Sequence, residues 1–406
     1  MKISYFIARR LAFSTGKSFS RLIVRVAVTA VALSVAVMIV AGAIVNGFQQ
    51  EISEKVFGFW GHITVRSMEQ GRSYGEIPIS VSQPFYPKLE KVPGIRHIQV
   101  FATKAGILKT NKEIEGIVLR GIANDFDWTF LKNYLVEGKI LLAGDSAARR
   151  QIMISRTTAG RLNLKVGDDV IVYFVQQPMR YRKLTVAGIY KTGLDEYDRL
   201  YAIVDIALLQ KINNWTSSEV GGFEIFINNV SELDRMGALI NSEYIGQELE
   251  AKTMKQVNPN LFDWLDLQTM NEIVIILLMI LVAIINMTTV LLILILERTN
   301  MIGILKSLGA SDWMIRRIFL YHAAYITGLG LLLGNIFGIG LCLAQKYLQI
   351  ITLPEESYYV SVAPVLMDPV YILAINAGTM LICLLTLIIP SYLVARITPV
   401  KAIRFK

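Results

Sequence analysis

The sequence predicts a membrane protein of four transmembrane α-helices, with a large α+β extracytoplasmic domain inserted between the first and the second. Three observations predict it. Apolar residues make up 53% of the 406-residue chain and charged residues 18%, against about 25% charged in an ordinary soluble domain. The apolar residues gather in four runs without a charge, Val26 to Gln50, Ile273 to Leu296, Ile318 to Gln345 and Pro369 to Ala395. Each exceeds the roughly 20 residues that span a bilayer. The net charge of +9 is concentrated beside those runs.

Charge orients the helices. Lys2, Arg9, Arg10, Lys17, Arg21 and Arg25 precede the first run with no acid before Glu51. Arg298, Lys306, Arg316 and Arg317 outweigh Glu297 and Asp312 between the second and third runs, and Arg396, Lys401, Arg404 and Lys406 stand unopposed at the end. Residues 47–270 hold equal numbers of basic and acidic groups. Because basic loops stay inside, both termini and the 297–317 loop are expected in the cytoplasm and the large block outside the inner membrane. The expected segments are a cytoplasmic N-terminal stretch (1–25), a first span (26–50), the extracytoplasmic domain (51–267) and a second span (268–296). A cytoplasmic loop (297–317), a third span (318–345), a short outer loop (346–368), a fourth span (369–395) and a cytoplasmic tail (396–406) follow.

Several function classes drop out. Basic groups clustered beside spans, with no stripe on a folded domain, exclude nucleic acid as a partner. Cys342 and Cys383 both fall inside predicted spans, and His62, His97 and His322 are scattered, so neither a disulfide framework nor a metal site is expected. Ser14-Thr-Gly-Lys-Ser18 imitates the end of a phosphate-binding loop, but the required glycine is replaced by Leu11 and a span follows in place of an α/β unit. No catalytic residue and no cofactor is expected. Ala41-Gly-Ala43 has the form of a signal-peptidase site, yet the long basic region before it and the apolar run after it favour a retained helix.

Within the outer block, strand patterns occur at Ile63 to Arg66, Ile98 to Phe101, Ile117 to Leu119, Val170 to Val175, Leu184 to Ile189 and Phe223 to Ile227. Helix patterns occur at Phe85 to Val92, Ile206 to Ile212 and Glu232 to Tyr244. The third span carries Gly330, Gly334 and Gly338 at four-residue spacing, with Gly328 and Gly340 nearby. Such a ridge lets helix backbones approach closely, and packing is the expected role.

The loop between the second and third spans organises the rest. Met301, Ile304, Leu305 and Leu308 fall at i, i+3, i+4 and i+7 of a short helix, which Gly309 ends. Ser311 and Asp312 cap and charge the start of the next helix. The apolar face has no core of its own to cover, so it either docks against another protein or lies in the lipid interface.

This loop resembles the cytoplasmic coupling segment of the MacB/FtsX-type ABC transporter permeases, and most of all their lipoprotein-releasing LolC/LolE branch. The matching positions are Glu297, Arg298, Ile302, Gly303, Ile304, Leu305, Lys306, Leu308, Gly309, Ala310 and Ser311. Asn46-Gly-Phe48 is similar to the end of that branch's first span, and Arg161 to Val170 to a stretch of the MacB-type outer domain. Ala283 with Asn286 and Pro390 to Arg404 also match. Asn260 to Leu267 matches more loosely.

The resemblance implies a MacB-like outer domain whose two ends form one subdomain, with 139–215 inserted as a second. It implies a permease subunit without enzyme activity, partnered by a separate LolD-like ABC ATPase and by a second permease subunit as a homo- or heterodimer. The cargo would be lipoproteins, released from the outer leaflet of the cytoplasmic membrane. An FtsX-like signalling permease acting on cell-wall hydrolases and a MacB-like peptide or drug exporter are the alternatives. Met301, Gly303, Ile304, Leu305, Lys306, Leu308 and Gly309 would couple to the ATPase. Val40, Ile44, Val45 and Phe48 of the first span, with Ile273, Val274 and Leu277 of the second, would line the cargo path, although such aliphatic surfaces also suit plain lipid. A periplasmic chaperone is a further implied partner. The connection Gln176 to Lys183 departs from the branch, being hairpin-sized where LolC carries an extended hook for that chaperone.

Overall fold

The computed structural model describes residues 19–69, 76–110 and 113–392. Ser14 to Ser18, the basic residues before Phe19 and the tail after Tyr392 lie outside the described residues. The described residues form two compact units, one within 19–49, 265–352 and 362–392, the other within 50–264 and 353–361.

The first unit is helical. It contains α1 (Phe19–Trp60) up to Gln49, α2 (Pro259–Glu297) from Leu265, α3 (Thr299–Ser307), α4 (Asp312–Leu348) and α5 (Pro369–Thr386). Among the described residues, four helices are long and apolar enough to cross a membrane, and they are α1, α2, α4 and α5. Their shared core includes Val31, Val35 and Ile39 of α1, Ala283, Met287 and Leu291 of α2, Ile315, Phe319 and Ile326 of α4, and Cys383 of α5. The glycine ridge of α4 lies against α1. A Cβ on Gly330 would come within 2.7 Å of Val31, one on Gly334 within 2.8 Å of the Ala32 carbonyl, and one on Gly338 within 3.1 Å of the Ala36 Cα. The expected packing role is therefore what the ridge performs. Asn335 of α4 and Asn376 of α5 exchange amide hydrogen bonds of 2.6 and 2.9 Å.

The second unit is α+β. Its strands are β1 (Ile63–Ser67), β2 (Ile79–Ser80), β3 (Ile95–Lys109), β4 (Ile114–Ile122), β5 (Leu135–Gly138), β6 (Gln151–Ser155), β7 (Asp169–Phe174), β8 (Arg180–Tyr190), β9 (Tyr201–Asp205), β10 (Glu219–Val220), β11 (Gly222–Ile227) and β12 (Leu249–Thr253). The main sheet runs β12-β1-β11-β3-β4-β9-β6-β8-β5, while β2 and β10 pair separately. Because β7 pairs with both β3 and β8, the strands β3-β4-β9-β6-β8-β7 close on themselves as a ring. Closure removes sheet edges, as in small barrels.

Two expectations are corrected here. The stretch 139–215 does not separate as a second subdomain. The first half of β3 pairs with β11 and its second half with β7, and β4 pairs with β9, so one sheet runs through both parts. The helix expected at Phe85 to Val92 shrinks to a 3-10 turn at Lys88–Lys91. Pro87 lacks an N–H to give, and Pro93 disfavours helical backbone at Val92. The helix at Ile206–Asn213 forms as expected, with Asp205 capping it by accepting the Ala207 N–H at 2.7 Å.

Candidate functional site

The loop between α2 and α4 is built as a helix, a tight stop and a restart. After α3 the chain turns through Gly309 at φ +88°. The Gly309 N–H donates to the Lys306 carbonyl at 3.0 Å and the Ala310 N–H to the Leu305 carbonyl at 2.9 Å, a Schellman stop that satisfies carbonyls left over at the helix end. Ser311 then caps α4 by accepting the Met314 N–H at 3.3 Å. Lys306 Nζ reaches Asp312 Oδ1 at 2.8 Å and ties the two helices. Arg316 stacks on Tyr392 at 3.9 Å, and Arg317 on Trp313 at 5.0 Å.

The apolar stripe of α3 does not behave as one free face. Met301 and Leu305 are half-buried against the core of the helical unit, and Ile302, a neighbour on that side, is fully buried in it. Gly303 is buried as well. Ile304 and Leu308 are left exposed, at 54% and 78%. The expectation that the whole stripe lacks a core to cover is corrected. The stripe is wide, and Ile302 turns its inner half into the core of the helical unit.

At the other end of the helices, Val40, Ile44, Val45 and Phe48 of α1 are half-buried, whereas Ile273, Val274 and Leu277 of α2 are exposed. Ile276, Met279 and Ile280 form the side of α2 that meets the core. Polar ties that the sequence reading missed join the helices here. Gln49 of α1 donates to the Leu265 carbonyl at 3.2 Å and to the Thr269 hydroxyl. The Tyr371 hydroxyl of α5 donates to Glu272, a carboxylate buried one residue ahead of the apolar run. An acid bordering an apolar run was the available signal, because a buried charge in a span marks a partnered position. In the outer unit, β7 and β8 pair down to Phe174 opposite Arg180, so residues 175–179 alone form the tip and no extended hook is present.

Residues 26–238 match the MacB-like periplasmic core domain, more than half of the chain, and residues 273–399 match the FtsX-like permease C-terminal domain. The lipoprotein-releasing system transmembrane protein LolC of Xylella fastidiosa is 24% identical over 395 residues, covering 93% of this chain and 92% of its own. LolE of Haemophilus influenzae is 20% identical over 426 residues, covering 99% of each. The chain belongs to the family that carries a MacB-like periplasmic core domain, and it is similar to the LolC and LolE permeases along nearly its whole length. The periplasmic region of MacB from Actinobacillus actinomycetemcomitans covers 50% of this permease at 15% identity, with a TM-score of 0.36. As a Lol-type permease with four apolar helices, the protein is an inner-membrane transport subunit.

Proposed function

We propose that this permease couples ATP hydrolysis on a separate ABC ATPase subunit to the release of lipoproteins from the outer leaflet of the cytoplasmic membrane, working as a dimer with a second permease subunit. Both termini and α3 face the cytoplasm in this reading, in accord with the basic clusters beside the spans. The observation that carries it is the division of α3. Ile304 and Leu308 stand exposed for a partner, while Ile302, Met301 and Leu305 are seated in the core shared by α1, α2 and α4. A push on the outer half is thereby delivered to the spanning helices, since close-packed cores transmit strain. Gly309 and the Lys306–Asp312 bridge hold the loop in shape while it is pushed.

The test is Leu308→Asp. At 78% exposure the new charge leaves the fold intact, but burying it under a docked ATPase costs several kcal/mol. The variant should insert normally and lose the ATPase in a detergent pull-down. Full recovery of the ATPase with normal turnover would assign the exposed face to the lipid interface instead.

A further inference from the structure

The chain passes between its two compact units after Gln49, Trp264, Thr352 and Ser361. The first two crossings lie inside the continuous helices α1 and α2. The other two bracket Leu353–Ser361, a strap from the α4–α5 connection that packs as part of the outer unit.

The base of the strap is fixed to α4. Gln345, buried in the last turn, donates to the Ile351 carbonyl at 3.1 Å and to the Ala363 carbonyl at 3.2 Å, and accepts the Ile351 N–H at 2.9 Å. The stems also bond each other, with Ala363 N–H to the Ile351 carbonyl at 3.1 Å and Leu353 N–H to the Ser361 carbonyl at 2.9 Å.

The far end is held by three separate parts of the outer unit. Lys55, in the last turns of α1, donates to the Tyr359 carbonyl at 3.0 Å. Lys191, just after β8, pairs with Glu355 at 2.5 Å. Trp264 of α2 meets the Tyr359 ring edge-on at 6.3 Å. The receiving loop is itself braced, because Asp198 accepts the Thr192 hydroxyl at 2.7 Å and the Thr192 and Gly193 N–H groups at 3.1 Å each. Gly193 has φ +78°, and a Cβ there would come within 3.0 Å of Lys55 Nζ. Lys55 is 7% exposed, and a buried ammonium is costly unless its partners are kept in place. A loose surface connection has no use for such an arrangement.

We propose that the strap is a mechanical tie that passes movement of α4 and α5 to the outer unit, and that Lys55 and Glu355 are its positioning residues. The tie rests on the reading that helix movement drives lipoprotein release. It stays docked throughout the cycle, as a rod must if it is to transmit in both directions.

The experiment measures ATP hydrolysis and lipoprotein release side by side, on the full complex with its ATPase in proteoliposomes. Replacing Leu353–Ser361 by a Gly/Ser segment of equal length should keep hydrolysis and lower release about fivefold or more. Glu355→Lys sets two ammonium groups against each other and should lower release about two- to fivefold, the range of a half-exposed pair. Adding Lys191→Glu should restore it. Lys191→Cys with Glu355→Cys, joined by a short bifunctional thiol reagent, should release as the unmodified complex does. Should the Gly/Ser variant fail to insert, the charge swap and the cross-link still decide. Normal release from the Gly/Ser variant, failure of the swap to rescue, or arrest by the cross-link would overturn the tie. An unmodified complex that hydrolyses ATP without releasing lipoprotein would instead overturn the release reading, and the tie with it.

Discussion

Arg120 and Glu224 meet at 2.6 Å between Nη2 and Oε2, with side chains only 1% and 0% exposed. Gln99 donates to the same carboxylate oxygen at 2.6 Å. The guanidinium lies over the rings of Phe59, Trp60 and Phe126 at 4.9, 4.8 and 5.2 Å. Phe59 and Trp60 are the last residues of α1, so this pair pins the end of that helix to β3, β4 and β11. Its position also favours a cation, because the helix C-terminus carries partial negative charge.

Arg120→Met should therefore cost about 3–5 kcal/mol, since it strands a buried carboxylate. Joining it to Glu224→Leu should recover most of the loss, because an apolar pair of similar volume is close to neutral. Denaturant unfolding of the detergent-solubilised permease measures both. A double variant no more stable than the single one would show that the pair does more than neutralise itself.

The parts of this fold legible in sequence were those with a period. Four apolar helices and strands such as β1, β7 and β8 announce themselves by length or alternation. β6 and β9 did not, because Ile152 to Ser155 and Ala202 to Asp205 are buried without alternation. Each pairs in parallel with another strand, and strands buried on both faces lose the period of two. In the α3 loop the helix, its stop and its restart were readable from Leu308, Gly309 and Ser311. Which half of the stripe faces inward was not, since that depends on where Ile302 meets the core of the helical unit. The ties from Gln49 to Thr269 and from Tyr371 to Glu272 join residues remote in sequence, so although Glu272 beside its apolar run signals a partnered position, no local pattern names the partner.

His62 gives the outer unit a pH dependence. The ring is buried, stacks on Phe57 at 4.5 Å and has Nδ1 facing the Ile227 N–H at 3.4 Å. Burial, and then the charge of Arg96, lower its pKa from 6.5 to about 4. The neutral ring is thus favoured in the folded state. Its contribution is complete above pH 6.5 and is lost as pH falls toward 4, where the unfolded chain takes up a proton that the folded chain refuses. The loss should approach about 3 kcal/mol. Melting of wild type and His62→Phe at pH 7 and pH 5 checks this, with a shallower pH slope expected for the variant. Equal slopes would remove His62 from the account.

Gly334 and Gly340 form a matched pair of tests on α4. A methyl group at Gly334 would meet the Ala32 carbonyl and Val35 Cβ at 2.8 Å, whereas one at Gly340 meets nothing within 4 Å. Gly334→Ala should push α1 and α4 apart and cost about 1–3 kcal/mol. Gly340→Ala should be neutral or slightly stabilising, since alanine is the better helix former. Thermal stability in one detergent compares them directly, and similar losses at both positions would argue against close α1–α4 packing.

The proposed cargo path makes the last prediction. On α2 the core side is Ile276, Met279 and Ile280, which leaves Ile273, Val274 and Leu277 turned away from the unit's own packing. On α1, Ile44 and Val45 are half-buried and aliphatic. Acyl chains gain about 0.8 kcal/mol for each methylene kept out of water, so a chain laid along these proposed path residues would be held against escape into water. Plain lipid would gain as much, and composition alone does not separate the two. The separation is energetic, because ATP-driven movement should expel cargo and leave bulk lipid undisturbed. A photo-crosslinking residue at Ile44 or Val274 should trap a lipoprotein, and ATP with a competent ATPase should diminish the adduct. The same residue at Leu373, exposed on α5, should trap phospholipid with or without ATP. Adducts at Val274 that match those at Leu373 would make the α2 face ordinary lipid-facing surface.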